Sequence, residues 1–176
     1  MLVFITVGST RFDALVQAAI SEQVLDALHK KGYKRVVIQR GNSDFEREAS
    51  GNGQDLVVFE KNGMEVESWK FKSSILSEVQ RADLVVGHAG AGTILDALRQ
   101  GKPMIVVPNP TLLDDHQGEL SSRLDALGYL TASTVDNLAA TIGAFDPSSL
   151  VSFPPFDGSR FRRLIDQEMG YSVNPS

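Results

Sequence analysis

Apolar positions along the chain fall into two alternating textures. One is the short, unbroken, β-branched run. Leu2–Val7 is such a run and ends at Gly8, Ser9 and Thr10; Lys34–Gln39 carries Val36, Val37 and Ile38. Asp83–Gly87 carries Leu84, Val85 and Val86, and Pro103–Val107 repeats the pattern. Asp55–Glu60 and Val66–Phe71 are shorter, and Tyr129–Thr131 is a brief extended piece. The other texture has helical spacing. Ala14–Lys31 places Leu15, Ala18, Ala19, Val24, Leu25 and Leu28 on one face, with Gly32 as its stop. Further helices are predicted over Ser73–Arg81, capped by Ser73 or Ser74, over Thr93–Gln100 before Gly101, and over Asp115–Leu127 before Gly128. Ser133–Asp136 has capping-box character and opens a helix reaching about Ala144. Arg40–Gln54 is polar and glycine-rich and reads as a mobile loop.

Continuous apolar strands separated by amphipathic helices predict an α/β fold, a Rossmann-like parallel sheet with helices on both faces. Such sheets bind ligands beyond the carboxyl ends of their strands, here the loops after Val7, Gly87 and Val107. The predicted organisation is a binding domain over residues 1–145, a linker over 146–157 that is rich in Pro and Ser, and a tail over 158–176. Within the tail, Gly158–Met169 is an amphipathic helix with Phe161, Leu164, Ile165 and Met169 on one face. That stripe covers either the chain's own domain or a partner. No internal repeat is visible.

Composition narrows the class. Of 176 residues, 42% are hydrophobic and 22% charged, the mix of a globular protein. The apolar runs are too short to span a bilayer, and the N-terminus does not read as a secretory signal. Seventeen Lys and Arg against 22 Asp and Glu, a net charge of −5, argue against a general nucleic-acid binder. With no cysteine, disulfides, thiol nucleophiles and Cys-ligated metals are excluded. That usage is compatible with the cytosol.

The chemistry concentrates in His88–Asn109 and Asp114-Asp-His-Gln117. A strand, a small-residue turn (Gly90, Ala91, Gly92) and a helix start follow one another. Glycine lets a ligand approach the backbone, and the unpaired N–H groups of a first helical turn suit a phosphate or diphosphate. Thr93 adds a hydroxyl. Asp96 falls on the same helix face, one turn on, where a carboxylate can accept from two ribose hydroxyls. Each signal also has a purely structural reading: a turn built for tight packing, a surface acid at Asp96, a buried hydrogen-bonded ring at His88, an exposed helix residue at His116, and a capping pair between Asp114 and Gln117. Their joint order on successive strand ends favours the ligand reading.

Competing motifs fail. Leu95 occupies the third glycine of G-x-G-x-x-G, and the strand after it ends in Pro108-Asn109 rather than an acid. Gly101-Lys102 precedes Pro103, and Asp96 stands where a P-loop needs glycine. The histidines at 29, 88 and 116 show no metal-ligand spacing, so no metal site is predicted.

The order H-x-G-x-G-T-x-x-D-x-L-x-x-G-K-P-x-I-V-V-P-N followed by D-x-H-Q resembles the nucleotide-sugar signature of GT-B glycosyltransferases. Together with Phe4–Asp13, it is most similar to the Alg13 family, the cytosolic subunits of the eukaryotic UDP-GlcNAc transferase of dolichol-linked oligosaccharide synthesis. The likeness covers about residues 1–145. Bacterial exopolysaccharide enzymes and the C-terminal half of MurG share the same core. The resemblance implies a single C-terminal-type half of a GT-B fold. It implies that His88 and the Gly90, Ala91, Gly92 and Thr93 amides face a diphosphate, and that Asp96 holds the ribose, where many relatives carry Glu. Phe71 and Lys72 then lie at the uracil, partly through backbone, Asn109, His116 and Gln117 at the sugar hydroxyls, and Gly8, Ser9 and Thr10 near the diphosphate.

It also implies an inverting transfer of GlcNAc from UDP-GlcNAc to GlcNAc-diphospho-dolichol, forming a β1,4 bond without cofactor or metal. A membrane-anchored, Alg14-like subunit would supply the lipid-linked acceptor site and recruit this chain to the cytosolic face of the endoplasmic reticulum, with Gly158–Met169 as the docking element. The general base stays open between His116, Asp115 and a partner group. The alternatives are a non-catalytic nucleotide-sugar-binding or regulatory subunit, a related exopolysaccharide glycosyltransferase half, and another chemistry on the same fold.

Overall fold

The computed structural model describes residues 1–45, 55–111, 116–155 and 157, without the side chain of His116. The predicted tail helix, Asp114 and Asp115 lie outside the described residues. The order of elements is β1 (Leu2–Thr6), α1 (Asp13–Ala19), α2 (Glu22–Lys30), β2 (Arg35–Gln39), β3 (Val57–Lys61), β4 (Met64–Trp69) and α3 (Leu76–Arg81). It continues with β5 (Leu84–His88), α4 (Ala91–Arg99), β6 (Met104–Val107), α5 (His116–Ala126), β7 (Thr131–Ala132) and α6 (Leu138–Ala144).

The strands form one sheet in the order β3-β4-β2-β1-β5-β6-β7. Its pairings are parallel except β3 with β4. Alternate side chains of each central strand enter different cores, as a two-sided sheet requires. Val3, Ile5, Val36, Ile38, Leu84, Val86, Ile105 and Val107 pack with the apolar faces of α1, α2 and α6. Phe4, Val37, Val85, Met104 and Val106 pack with α3 and α4 and, more loosely, α5. Each buried Val, Leu or Ile contributes about 1.5–3 kcal/mol relative to exposure.

Three features depart from the sequence reading. The predicted helix Ala14–Lys31 is two helices. The Ser21 hydroxyl donates to the Ala18 carbonyl at 2.8 Å and accepts from the Val24 amide at 3.3 Å. It therefore closes α1 and caps α2, the competition with helical backbone expected of serine. The helix expected from Ser133–Asp136 instead begins at Leu138, after Thr134 Oγ1 accepts from the Asn137 amide at 3.2 Å. Finally, the sheet is not wholly parallel. β3 and β4 form a hairpin closed by Asn62 (φ 49°) and Gly63 (φ 70°). Both central residues are left-handed, as a type I′ turn demands, and Asn-Gly is its strongest signal.

Past α6, Pro147–Ser149 form a 3₁₀ turn, Leu150 packs partly against the first core, and Phe153 meets Tyr129 edge-on at 5.1 Å between ring centroids. The Val151 amide donates to the Gly128 carbonyl at 2.8 Å. No helix among the described residues is long and apolar enough to cross a membrane.

A Cβ on Gly63 would lie 3.2 Å from the His29 ring, in addition to its left-handed strain. Gly63→Val is expected to lower stability by about 1–2 kcal/mol, read as a lower urea midpoint at unchanged slope. Asn62→Gly should stay close to wild type in the same titration.

Candidate functional site

The carboxyl ends of β1, β2, β4 and β5 meet at one edge of the sheet. At the end of β1 the chain turns through Gly8, whose φ of 62° favours glycine. Thr10 closes the turn by donating from its hydroxyl to the Val7 carbonyl at 2.7 Å. Ser9 is exposed, and its carbonyl accepts from Asn42 Nδ2 at 3.1 Å.

His88 ends β5, and its ring fills a slot between the two glycine turns. A Cβ on Gly8 would stand 2.6 Å from His88 Cε1, and one on Gly90 would press closer still on Nε2. Gly90 is therefore needed first for the protein's own imidazole, a correction to the expectation that it clears space for a ligand. His88 is buried, and its Nδ1 has no hydrogen-bond partner among the described residues. Burial holds its pKa below the usual value, partly opposed by the Thr6 backbone. The ring is neutral at pH 7, so it does not supply a fixed positive charge.

The helix α4 starts at Ala91, two residues earlier than predicted. Gly90 is its extended N-cap and provides no side-chain bond. The Gly90 amide donates to the His88 carbonyl at 2.8 Å, and its carbonyl accepts from Ile94 at 3.0 Å. Among the described residues, the amides of Ala91, Gly92 and Thr93 form the free first turn. Ala91 and Gly92 are exposed, and a Cβ on Gly92 would meet nothing within 4 Å. Thr93 is turned inward and buried. Asp96 lies one turn on, exposed, and makes no hydrogen bond or ion pair among the described residues.

Gly8, Ser9, Gln39, Phe71, Lys72 and Asp96 line one depression of about 360 Å³, together with the 73–75 turn. The structure thus brings the expected turn, aromatic and carboxylate together. Phe71 is 53% exposed at its rim. Lys72 lines the depression too, and its ammonium is paired: Nζ is 2.7 Å from Glu78 Oε1 and lies 4.3 Å above the Trp69 ring. The ammonium anchors the β4 end internally, leaving the backbone and Phe71 to face a ligand.

Asn109 and Gln117 do not line this depression. They border a larger hollow of about 870 Å³ beside β7 and α6. Asn109 is buried: Nδ2 donates to the Arg11 carbonyl at 3.2 Å, and Oδ1 accepts from the Thr111 amide and hydroxyl at 3.1 and 2.8 Å. Gln117 Oε1 accepts from the Asn109 amide at 3.2 Å. The Asp114–Gln117 pairing considered from sequence involves a residue outside the described residues. Asn109 holds the β6 loop in place instead of presenting its amide. The backbone of His116 opens α5, and its side chain and Asp115 lie outside the described residues. Among the described residues no group of three His, Asp or Glu is placed to hold a metal ion.

Sequence reading missed Gln39, which ends an otherwise ordinary strand. It is buried, and its amide bonds to three residues, Thr6, Gly8 and Lys70, on two chain segments. The only hint is a polar side chain continuing a run of β-branched apolar residues.

Two predictions follow from the slot. Gly90→Ala forces the imidazole to move and should cost about 1–3 kcal/mol, the usual range for core overpacking. Gly92→Ala should keep or slightly raise stability, since its Cβ points to open space; chemical denaturation compares the two. For His88, the folded pKa lies below the ordinary imidazole value of 6.5. The unfolded chain therefore binds the proton more readily. The contribution is fully present above pH 6.5 and is lost as pH falls through the lowered folded value. Relative to His88→Gln, wild type should lose stability progressively below pH 6.5, with parallel profiles above it.

Residues 2–167 match the glycosyltransferase family 28 C-terminal domain. The chain is 34% identical to UDP-N-acetylglucosamine transferase subunit ALG13 of Cryptococcus neoformans, over 95% of this chain and 96% of that protein. It is 36% identical to the subunit of the same name from Eremothecium gossypii, over 93% and 90%. The human protein of that name is 31% identical over 92% of this chain, which corresponds to 14% of the human sequence. A solution structure of ALG13 superposes with a TM-score of 0.65 at 28% identity, covering 93% of both chains. Acinetobacter baumannii MurG shares the fold alone, with a TM-score of 0.58 at 19% identity over 84% of this chain and 42% of that one. A match running over nearly the whole chain, with relatives at about a third identity along nearly their full length, shows that the chain belongs to glycosyltransferase family 28, as a C-terminal-type domain.

Proposed function

We propose that the chain is the catalytic, donor-binding subunit of a UDP-GlcNAc transferase. In this reading it adds the second GlcNAc, through a β1,4 bond, to GlcNAc-diphospho-dolichol during N-glycan precursor synthesis. The observation that carries the proposal is the single depression where Gly8, Ser9, Phe71 and Asp96 converge beside the free start of α4. The names of the similar subunits supply the donor and reaction class.

The donor runs from Phe71 to the start of α4. The uracil lies against Phe71 and the adjacent backbone, and the ribose hydroxyls donate to Asp96. The diphosphate takes the Ala91, Gly92 and Thr93 amides. These amides carry part of the helix dipole, favouring anions. An acceptor hydroxyl attacks the anomeric carbon, the carbon–phosphate-oxygen bond breaks, and UDP departs with the electron pair. One displacement inverts the anomeric configuration. Charge on the departing diphosphate grows towards the transition state, and amides already in place stabilise it without reorganisation. No cofactor or metal is needed for that charge. The hydroxyl's proton passes to His116, to Asp115 or to a group on the partner.

The acceptor side comes from a membrane-anchored, Alg14-like partner. That partner binds the lipid-linked GlcNAc and brings the chain to the cytosolic face of the endoplasmic reticulum. Two substitutions test the donor site. Asp96→Ala should reduce kcat/KM of the assembled pair about 10–100-fold, the loss of charged hydrogen bonds. Gly92→Val should weaken UDP-GlcNAc binding at least 10-fold in calorimetry while leaving the urea midpoint nearly unchanged. Full activity in the first, or unchanged affinity in the second, overturns the assignment.

A further inference from the structure

The depression is formed by segments far apart in sequence, and one side chain joins them. Gln39 is 2% exposed. Its Nε2 donates to the Gly8 carbonyl at 2.7 Å and to the Lys70 carbonyl at 2.9 Å. Its Oε1 accepts from the Thr6 hydroxyl, and Thr6 Oγ1 in turn accepts from the Gly8 amide at 3.1 Å. Both amide hydrogens and the carbonyl oxygen are thus engaged. The neighbouring backbone repeats the connection: the Gly41 amide donates to the Lys70 carbonyl at 3.2 Å, and the Val7 amide to the Gln39 carbonyl at 3.1 Å. The fit is close. A Cβ on Gly41 would stand 2.5 Å from the Gly8 carbonyl oxygen and 2.9 Å from that of Thr10.

We infer that Gln39 is a positioning residue for the nucleotide donor. Its carboxamide fixes the separation between the Gly8–Ser9 turn and the Lys70–Phe71 strand end. With its donors spent inside the protein, Gln39 acts through these two segments. The inference rests on the donor-binding reading above, which puts the base at Phe71 and the diphosphate near Gly8. A ligand spanning both ends feels the separation between them; a ligand touching one end does not. Alkyl side chains of similar length would fill the volume and leave the Gly8 and Lys70 carbonyls without this donor.

The test uses the full chain with Gln39→Met, Gln39→Glu and Thr6→Val, and Leu28→Ala as a control. Leu28 is fully buried in the other core, on α2. UDP and inorganic pyrophosphate are titrated by chemical-shift perturbation at a temperature where every variant is folded. Hydrogen exchange is followed at the Gly8 and Gly41 amides. The expected result is a 10-fold or greater loss of UDP affinity in the Gln39 variants, a smaller loss in Thr6→Val, and pyrophosphate affinity within twofold of wild type. Leu28→Ala should lose thermal stability and keep UDP affinity. Exchange at Gly8 and Gly41 should accelerate in the Gln39 variants beyond the control. UDP affinity within twofold of wild type in Gln39→Met and Gln39→Glu overturns the inference, as does unchanged exchange at both amides. A Gln39 variant that does not fold leaves the decision to the other and to Thr6→Val, where unchanged affinity and exchange overturn it. Failure of wild type to bind UDP overturns the donor reading instead, and exchange at the two amides still decides whether Gln39 holds the segments.

Discussion

The loops after β1 and β5 can approach one another only because glycine flanks the His88 imidazole on both sides. The ring occupies the space that two Cβ atoms would take. This packing fixes where β5 ends, and with it where α4 begins. The free amides of α4 and the carboxylate of Asp96 inherit their positions from that start. Gln39 performs the matching task between β1, β2 and β4. The edge of the sheet that bears the depression is therefore held by two buried polar side chains, one wedged and one hydrogen-bonded. Neither carries a charge at neutral pH, so each can be buried without an ion partner.

The electrostatics suit that arrangement. In the proposed reading a diphosphate carries its own negative charge, and the site would answer it chiefly with main-chain amides. Lys72, the nearest lysine in the depression, is engaged by Glu78 and rests on Trp69. This internal anchoring gives the β4 end a fixed direction, which leaves Phe71 presented to solvent. Neutral His88 fits the same logic: a buried imidazolium would cost more than a buried imidazole.

Much of this architecture was legible along the chain, because continuous apolar strands and amphipathic helices leave strong periodic signals. The strand-turn-helix at His88–Gln100 was legible for the same reason, and the place of Asp96 one turn into α4 followed from helical spacing. Other features were hidden by their nature. Ser21 sits inside an apolar periodicity that continues across the break, so spacing could not reveal two helices. Asn62-Gly63 carried a local hairpin signal that the surrounding parallel pattern obscured. The distinct roles of Gly90 and Gly92 depend on a ring folded back from the preceding strand, and spacing records no such contact. Asn109 has a side chain suited to ligands, and only tertiary contacts show that side chain bonded within the protein.

The strand order has a bearing on biogenesis. The hairpin β3–β4 pairs neighbours across two residues and can close within microseconds of leaving the ribosome. The central pairing is of another kind: Val3 lies beside Leu84, and Thr6 beside Gly87. A nascent chain that has not yet exposed β5 holds no His88 wedge, no α4 and no second wall to the depression. Synthesis consequently passes through a long stage in which half of the sheet waits for its middle neighbour, its apolar edge open to chaperones, and the depression is completed only late.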